Sequence, residues 1–163
     1  MIKDHVLSLL VENKPGVLSR VTGLISRRGF NIDSLAVAPT EDSTMSRLTA
    51  TVSCDELAYE QLIKQLHKLI SVYKISDLTN GEVIARELIL VRVGVTPEKR
   101  GEVIEIANVF RAKIVDVGKN SITIEATGDA DKLSGMVNLL RAYGVREIIR
   151  TGRIAMQRST HEN

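Results

Sequence analysis

Val11-Glu12-Asn13-Lys14-Pro15-Gly16-Val17-Leu18 and, further along, Gly29-Phe30-Asn31-Ile32-Asp33 are the two stretches whose reading decides the fold. The first reads as the end of a strand, a tight Pro-Gly turn and the opening of a helix. The second reads as the stop of that helix and a new strand beginning on an asparagine. Pro15 suits the first helical turn, where its missing N–H has no intrahelical acceptor to lose. Gly16 lets another group approach the backbone closely. The N–H groups near Gly16, Val17 and Leu18 have no partner inside a helix that starts here, and the helix dipole adds positive potential, so together they suit a carboxylate. Asn13 is placed to cap the helix or to touch a ligand, and the Asn31 amide can accept from an ammonium or donate to a carboxylate. Val17, Leu18 and Ile32 are candidates to line a small apolar pocket. A site of this kind fits a free amino acid better than it fits a reaction. The plainer reading stays open at this point: Pro-Gly opens many helices, Asn13 as a mere cap contributes about 1 kcal/mol, and Gly29-Phe30-Asn31 is an ordinary helix stop.

Working outward, four segments have apolar residues at helical spacing. They are Val17, Leu18, Val21, Leu24, Ile25; Tyr59, Leu62, Ile63, Leu66; Val103, Ile106, Ala107, Phe110; and Leu133, Met136, Val137, Leu140, the last stopped by Gly144. Each has one apolar stripe and a charged back, the pattern of a helix lying on a sheet. Strand-like runs separate them. Residues 5–12 are apolar on both faces, 47–54 alternate cleanly, and 72–78 form a shorter run. Residues 88–95 repeat the order, followed by a hairpin of 113–117 and 121–127 across Gly118-Lys119-Asn120. Residues 147–156 supply the last strand, bent at Gly152.

Each half therefore reads β-α-β-β-α-β, and the expected class is α+β, two tandem ferredoxin-like units. The turn Thr79-Asn80-Gly81 divides them, giving a sensing and dimerising domain at 1–79 and a second domain at 80–163, with a frayed polar tail at 157–163. A strand apolar on both faces is a hazard at a sheet edge. If residues 5–12 lie at or near an edge, a second copy of the chain is the simplest cover, and a homodimer is expected.

Composition narrows the functional classes. The chain has 163 residues, 44% of them hydrophobic but only 3% aromatic, so the core must be aliphatic. Lys and Arg number 22 against 20 Asp and Glu, a net charge of +2 that argues for neither nucleic acid nor an anionic membrane. The single Cys54 and an N-terminus without an apolar run point to the cytoplasm. No stretch approaches the ~18 apolar residues of a membrane span. Catalytic signals are missing: His5, His67 and His161 are scattered, Cys54 faces the core by alternation, and no metalloprotease, P-loop or nucleophile-elbow motif is present. Glu41-Asp42 reads as a solvated turn, with a divalent ion as the alternative. Arg146, Arg150 and Arg158 differ by even steps and would share a face of a regular strand, read as solvated before it is read as a partner patch.

The whole sequence resembles the small regulatory subunits of acetolactate synthase (acetohydroxyacid synthase), and its first half resembles an ACT domain. The residues carrying the resemblance are Glu12 to Val21, Arg28 to Leu35, Thr40-Glu41-Asp42, Ser46-Arg47 and Lys64 to Leu69. In the second half they are Arg86-Glu87-Leu88, Phe110 to Val117 and Thr151-Gly152-Arg153. Met136 departs from the family pattern, at a core position where an aromatic is expected. The resemblance implies that a branched-chain amino acid, usually valine, binds between two ACT domains. Gly16 and its neighbours from one chain would hold the carboxylate, with Asn31 from the facing chain and Asn13 nearby. It also implies a separate catalytic large subunit, which this chain activates and makes sensitive to end product. Thiamine diphosphate, Mg²⁺ and FAD belong to that partner, with no cofactor or metal expected here. An ACT-type sensor acting on a different target is the alternative. Paired RNA-recognition domains share the topology but need aromatics on residues 6–11 and 47–54, which have none. An acylphosphatase-like enzyme needs an Arg in the loop at 12–18, which offers only Lys14.

Overall fold

The computed structural model describes residues 1–161. The chain order is β1 (Lys3–Glu12), α1 (Val17–Arg27), β2 (Asn31–Pro39), β3 (Met45–Cys54), α2 (Glu56–Leu66) and β4 (Val72–Asp77). A second round follows: β5 (Val83–Gly94), α3 (Arg100–Val109), β6 (Lys113–Val117), β7 (Ser121–Gly128), α4 (Ala130–Leu140), β8 (Val145–Arg150) and β9 (Ile154–Gln157). The first sheet runs β2-β3-β1-β4; the second runs β6-β7-β5-β8, with β9 also pairing β5. The fold is α+β, two β-α-β-β-α-β units, as the periodicities require.

The apolar stripes explain the layers. Val17, Val21 and Ile25 of α1 and Tyr59, Leu62 and Leu66 of α2 are buried over Leu7, Leu9, Leu48, Ala50 and Val52 of the first sheet. In the second unit Val103, Ala107, Leu133, Met136 and Leu140 cover Ile89, Val91, Val93, Ile122 and Ile124. The starts of α2 and α4 are fixed by carboxylate caps that take up otherwise unpaired N–H groups. Asp55 accepts from Ala58 N–H at 2.8 Å and Asp129 from Lys132 N–H at 2.9 Å. Gly29, at φ 76°, ends α1 in the left-handed conformation that glycine adopts most cheaply.

The two units repeat in detail. Glu12 N–H donates to the Ser71 carbonyl at 2.9 Å, as Gly94 N–H does to Gly144; Asn13 N–H donates to Thr44 at 2.8 Å, as Val95 N–H does to Asn120 at 3.0 Å. Each unit also has a bulge at the same point of its last sheet strand, at Tyr73 between the pairs Leu10–Lys74 and Val11–Val72, and at Arg146 between Arg92–Glu147 and Val93–Val145.

Three expectations change. Strand β1 is central, flanked by β3 and β4, so its apolar second face needs no edge argument; the open edges of the first sheet are β2 and β4. The last strand is two: β8 stops at Arg150, and β9 starts at Ile154 after Gly152, which sits at φ 90°. Arg158 therefore does not share a strand face with Arg146 and Arg150. Among the described residues, compact units form from residues 1–84 with 153–161, and from 85–152, rather than from a single cut near 79. The cause is the return of the C-terminal segment: Arg153 N–H donates to Ser34 Oγ at 2.7 Å and Arg158 N–H to the Glu82 carbonyl at 3.0 Å. Residues 157–161 of the expected frayed tail end β9 and form a 3₁₀ turn, Ser159–His161. Residues 162 and 163 lie outside the described ones.

Candidate functional site

The turn Lys14-Pro15-Gly16-Val17 opens α1. Val17 N–H points back to the Lys14 carbonyl at 3.3 Å, and Gly16 has φ 85° and ψ −13°. These are the values of a type II turn, with proline second and glycine third. Gly16, not Asn13, is the N-cap residue, and no side chain caps the helix. Pro15 sits before the helix rather than in its first turn. Asn13 is drawn away toward the β2–β3 hairpin, where its Nδ2 donates to the Ser43 carbonyl at 2.9 Å. The helix start is left with N–H groups that no side chain satisfies and a glycine whose space is open, the nearest atom to a Cβ there being Arg20 Nη2 at 3.9 Å.

The second unit turns at the matching place, but without a residue at positive φ there. Lys99 N–H donates to the Thr96 carbonyl at 3.1 Å across Pro97-Glu98, the counterpart of Pro15-Gly16. The Glu98 carboxylate turns back toward its own amide and the Thr96 hydroxyl, which hold it below the usual carboxylate range. Helix α3 itself begins at Arg100, with Lys99 as its N-cap and no side-chain cap, so Glu98 stands one residue ahead of that helix start, and the Gly16 turn has no carboxylate at the matching place. The matching spacing of Pro15 and Pro97 was the sequence signal for this contrast, and single-motif reading passed over it.

Asn31 stands at the other end of α1. That helix has 11 residues and so rises about 16 Å, too far for one small amino acid to touch Gly16 and Asn31 of the same chain. Asn31 is exposed, and its Nδ2 donates to Asp33 Oδ1. Asp33 is the extra residue of a bulge in β2, between the pairs Ile32–Val52 and Ser34–Thr51. Its other oxygen lies 2.5 Å from Ser53 Oγ, which is also 2.6 Å from Asp4 Oδ1. The cluster orients the Asn31 amide so that its Oδ1 is left for an outside donor. Alternation did not reveal this cluster because a bulge shifts the faces of β2.

The apolar candidates separate too. Val17 is buried in the core, Ile32 packs on the core opposite Val52, and Leu18 is exposed. Within one chain Asn13, Pro15, Gly16, Val17 and Leu18 gather at one end of α1, and Asn31 and Ile32 at the other.

The remaining polar candidates are occupied structurally. Asp42 Oδ1 accepts from Thr44 N–H and Oγ1 at 2.9 and 2.6 Å, fixing the hairpin, and no cluster of three metal-type ligands occurs among the described residues. Arg150 pairs with Glu87 at 3.0 Å. Cys54 is buried, and burial with Asp55 and Glu56 nearby pushes its thiol up. His5, one of the scattered histidines, is fully buried, stacks on Tyr59 with centroids 4.0 Å apart, and places Nε2 3.2 Å from the Cys54 carbonyl.

Two repeats of this topology, the first opening its first helix on an uncapped glycine, define a tandem ferredoxin-like protein. Residues 7–74 match the model of the AHAS small subunit-like ACT domain, and residues 86–159 that of the small subunit of acetolactate synthase. A Mycolicibacterium smegmatis acetolactate synthase small subunit is 51% identical over 94% of this chain and 91% of its own. An Archaeoglobus fulgidus protein named "Probable acetolactate synthase small subunit" is 54% identical over 94% of this chain and 96% of its own. The crystal structure of the acetolactate synthase small subunit from Thermotoga maritima superposes with a TM-score of 0.85 at 39% identity, over 96% of this chain and 98% of that one. The chain belongs to the acetolactate synthase small-subunit family.

Proposed function

We propose that this chain binds a branched-chain amino acid, valine above all, between two copies of its first unit, and through it sets the activity of a catalytic large subunit. The observation that carries the proposal is the start of α1 at Gly16, whose N–H groups no side chain caps. Support for a two-chain site comes from the separation of Gly16 and Asn31. Strand β2 is an open edge nine residues long, with Val37 exposed. Antiparallel pairing of β2 with its copy sets Asn31 of one chain beside Pro39 of the other. The hairpin after Pro39 supplies Ser43 and Thr44, which hold Asn13 beside the Gly16 turn. Each twofold pair then has two sites, each with a helix start from one chain and an asparagine from the other. The carboxylate of the effector meets the N–H groups at Gly16 and its ammonium meets Asn31 Oδ1.

Control follows by linkage. The effector binds differently to two states of the assembly, and a coupling of ~1–3 kcal/mol is the usual range for such control. The reaction itself, with its thiamine diphosphate, Mg²⁺ and FAD, belongs to the large subunit in the cytoplasm, and this chain holds no cofactor. The described residues include no helix long and apolar enough to cross a membrane.

The test is acetolactate formation by the matching large subunit, with and without this chain, across a valine titration. Activation by the chain together with inhibition by valine is expected. Activation without valine inhibition keeps the partner and rejects the effector; no effect rejects both and leaves an ACT-type sensor of another target.

A further inference from the structure

Arg146 is the odd residue of the bulge in β8, and a bulge re-aims its side chain. The guanidinium lies flat against Gly94: a Cβ added there would meet Nε at 2.7 Å and Cζ at 3.1 Å. In the first unit the same bulge carries Tyr73, whose phenol donates to Glu12 Oε1 at 3.1 Å. Glu12 and Gly94 are counterparts by their matching bonds to Ser71 and Gly144. The second unit thus keeps the bulge, replaces the phenol by a cation, and deletes the carboxylate that faced it. The Arg146 side chain is exposed and, among the described residues, has neither an ion pair nor a hydrogen bond of its own. It borders a shallow, open cavity of about 510 Å³ whose wall includes Val95, Thr96, Asn120 and Tyr143, a volume within the roughly 300–1,000 Å³ of small-molecule sites.

We propose that this cavity binds a small organic carboxylate with a second polar group beside it, such as a 2-hydroxy or 2-oxo acid. Its carboxylate takes the place against Arg146 that Glu12 takes against Tyr73. The planar guanidinium matches a carboxylate fork. The Thr96 hydroxyl and the Asn120 amide are the wall groups available to the neighbouring oxygen. Tyr143 is held by its bond to Glu102 Oε2 at 2.8 Å and supplies a fixed aromatic wall. The volume admits a free small molecule, and an acidic side chain of a protein partner is the other outcome that the titration separates.

The experiment is a titration of the full chain with L-lactate, followed by amide chemical shifts, with lactamide as the neutral control. Saturable shifts at Gly94, Val95 and Gly144 are expected with lactate and not with lactamide. Arg146→Gln should weaken binding at least about tenfold, the effect of losing one charge-assisted hydrogen bond. Gly94→Glu should do the same by restoring the internal carboxylate of the first unit. Unaltered amide shifts elsewhere report that both variants are folded. Absent shifts, equal shifts with lactamide, or undiminished lactate binding in either variant overturn the proposal. Shifts that are absent in the parent chain while Arg146→Gln loses the catalytic subunit assign the guanidinium to a protein contact and overturn it too.

Discussion

Gly16 and Glu98 each follow the proline of a turn ahead of a helix, but Gly16 is itself the N-cap of α1, whereas Glu98 stands one residue before the Lys99 N-cap of α3 and turns its carboxylate toward its own amide and the Thr96 hydroxyl. Gly16→Asp would put a carboxylate directly at the start of α1. Its carboxylate would compete with and repel the effector, raising the half-inhibitory valine concentration roughly thirtyfold or more, about 2 kcal/mol for a lost charged hydrogen bond. Gly16 has φ 85°, so any L side chain there costs about 1–2 kcal/mol of stability. Gly16→Ala carries the same strain without the charge and separates the two effects. Valine titrations of the holoenzyme with both variants measure this; equal desensitisation by Ala and Asp would reject the electrostatic account.

Asn13 is a brace between the Gly16 turn and the β2–β3 hairpin, through its 2.9 Å bond to the Ser43 carbonyl. Asn13→Ala removes one exposed neutral hydrogen bond, so a loss of about 0.5–1.5 kcal/mol in chemical denaturation is expected. If the turn is positioned by this bond, valine sensitivity falls while activation of the large subunit persists. A helix cap would instead lower the helicity of α1, which amide exchange over residues 17–20 would detect.

Much of this was legible beforehand. The four apolar stripes and the alternation of residues 47–54 fix helices over sheets, because burial has the same period as the side chains. Bulges were not legible: Asp33, Tyr73 and Arg146 each add one residue to a strand, and no composition signal marks them. Nor was the central place of β1, since a strand buried on both faces reads the same in the middle of a sheet as at a covered edge. Gly16 and Asn31 could be named from chemistry, but the helix-length gap between them belongs to three dimensions.

The hairpin at Asp42 should be acid-sensitive. Its carboxylate is held below the usual range first by the Thr44 hydroxyl and then by the Thr44 N–H. A folded-state pKa below the unfolded value contributes stability above the unfolded pKa, near 4 for Asp, and loses it as pH falls through the folded value. Asp42→Asn should leave hairpin amide exchange less dependent on pH below about 4, with little change at neutral pH. Unchanged acid dependence would mean that Asp42 does not couple to the turn.

Cys54 should be nearly inert in the folded chain. It is 6% exposed, and burial first, then Asp55 and Glu56, push its thiol up, so the reactive thiolate is scarce. Reaction with a disulfide reagent at neutral pH should be slow and follow global unfolding, speeding sharply in denaturant. Fast labelling without denaturant would show local opening of the end of β3.

Mixing two defective chains offers the sharpest test of a site shared between copies. Gly16→Asp and Asn31→Ala each damage both sites of a homodimer when each site takes one residue from each chain. In a mixed dimer both lesions fall in one site, and the other has intact Gly16 from one chain and intact Asn31 from its partner. Random assortment makes half the dimers mixed, so about a quarter of all sites should be restored. Tight valine binding at about that level should return when the variants are unfolded and refolded together, and not when folded apart and combined without exchange. A site confined to one chain predicts no restoration, because every site then carries one lesion or the other.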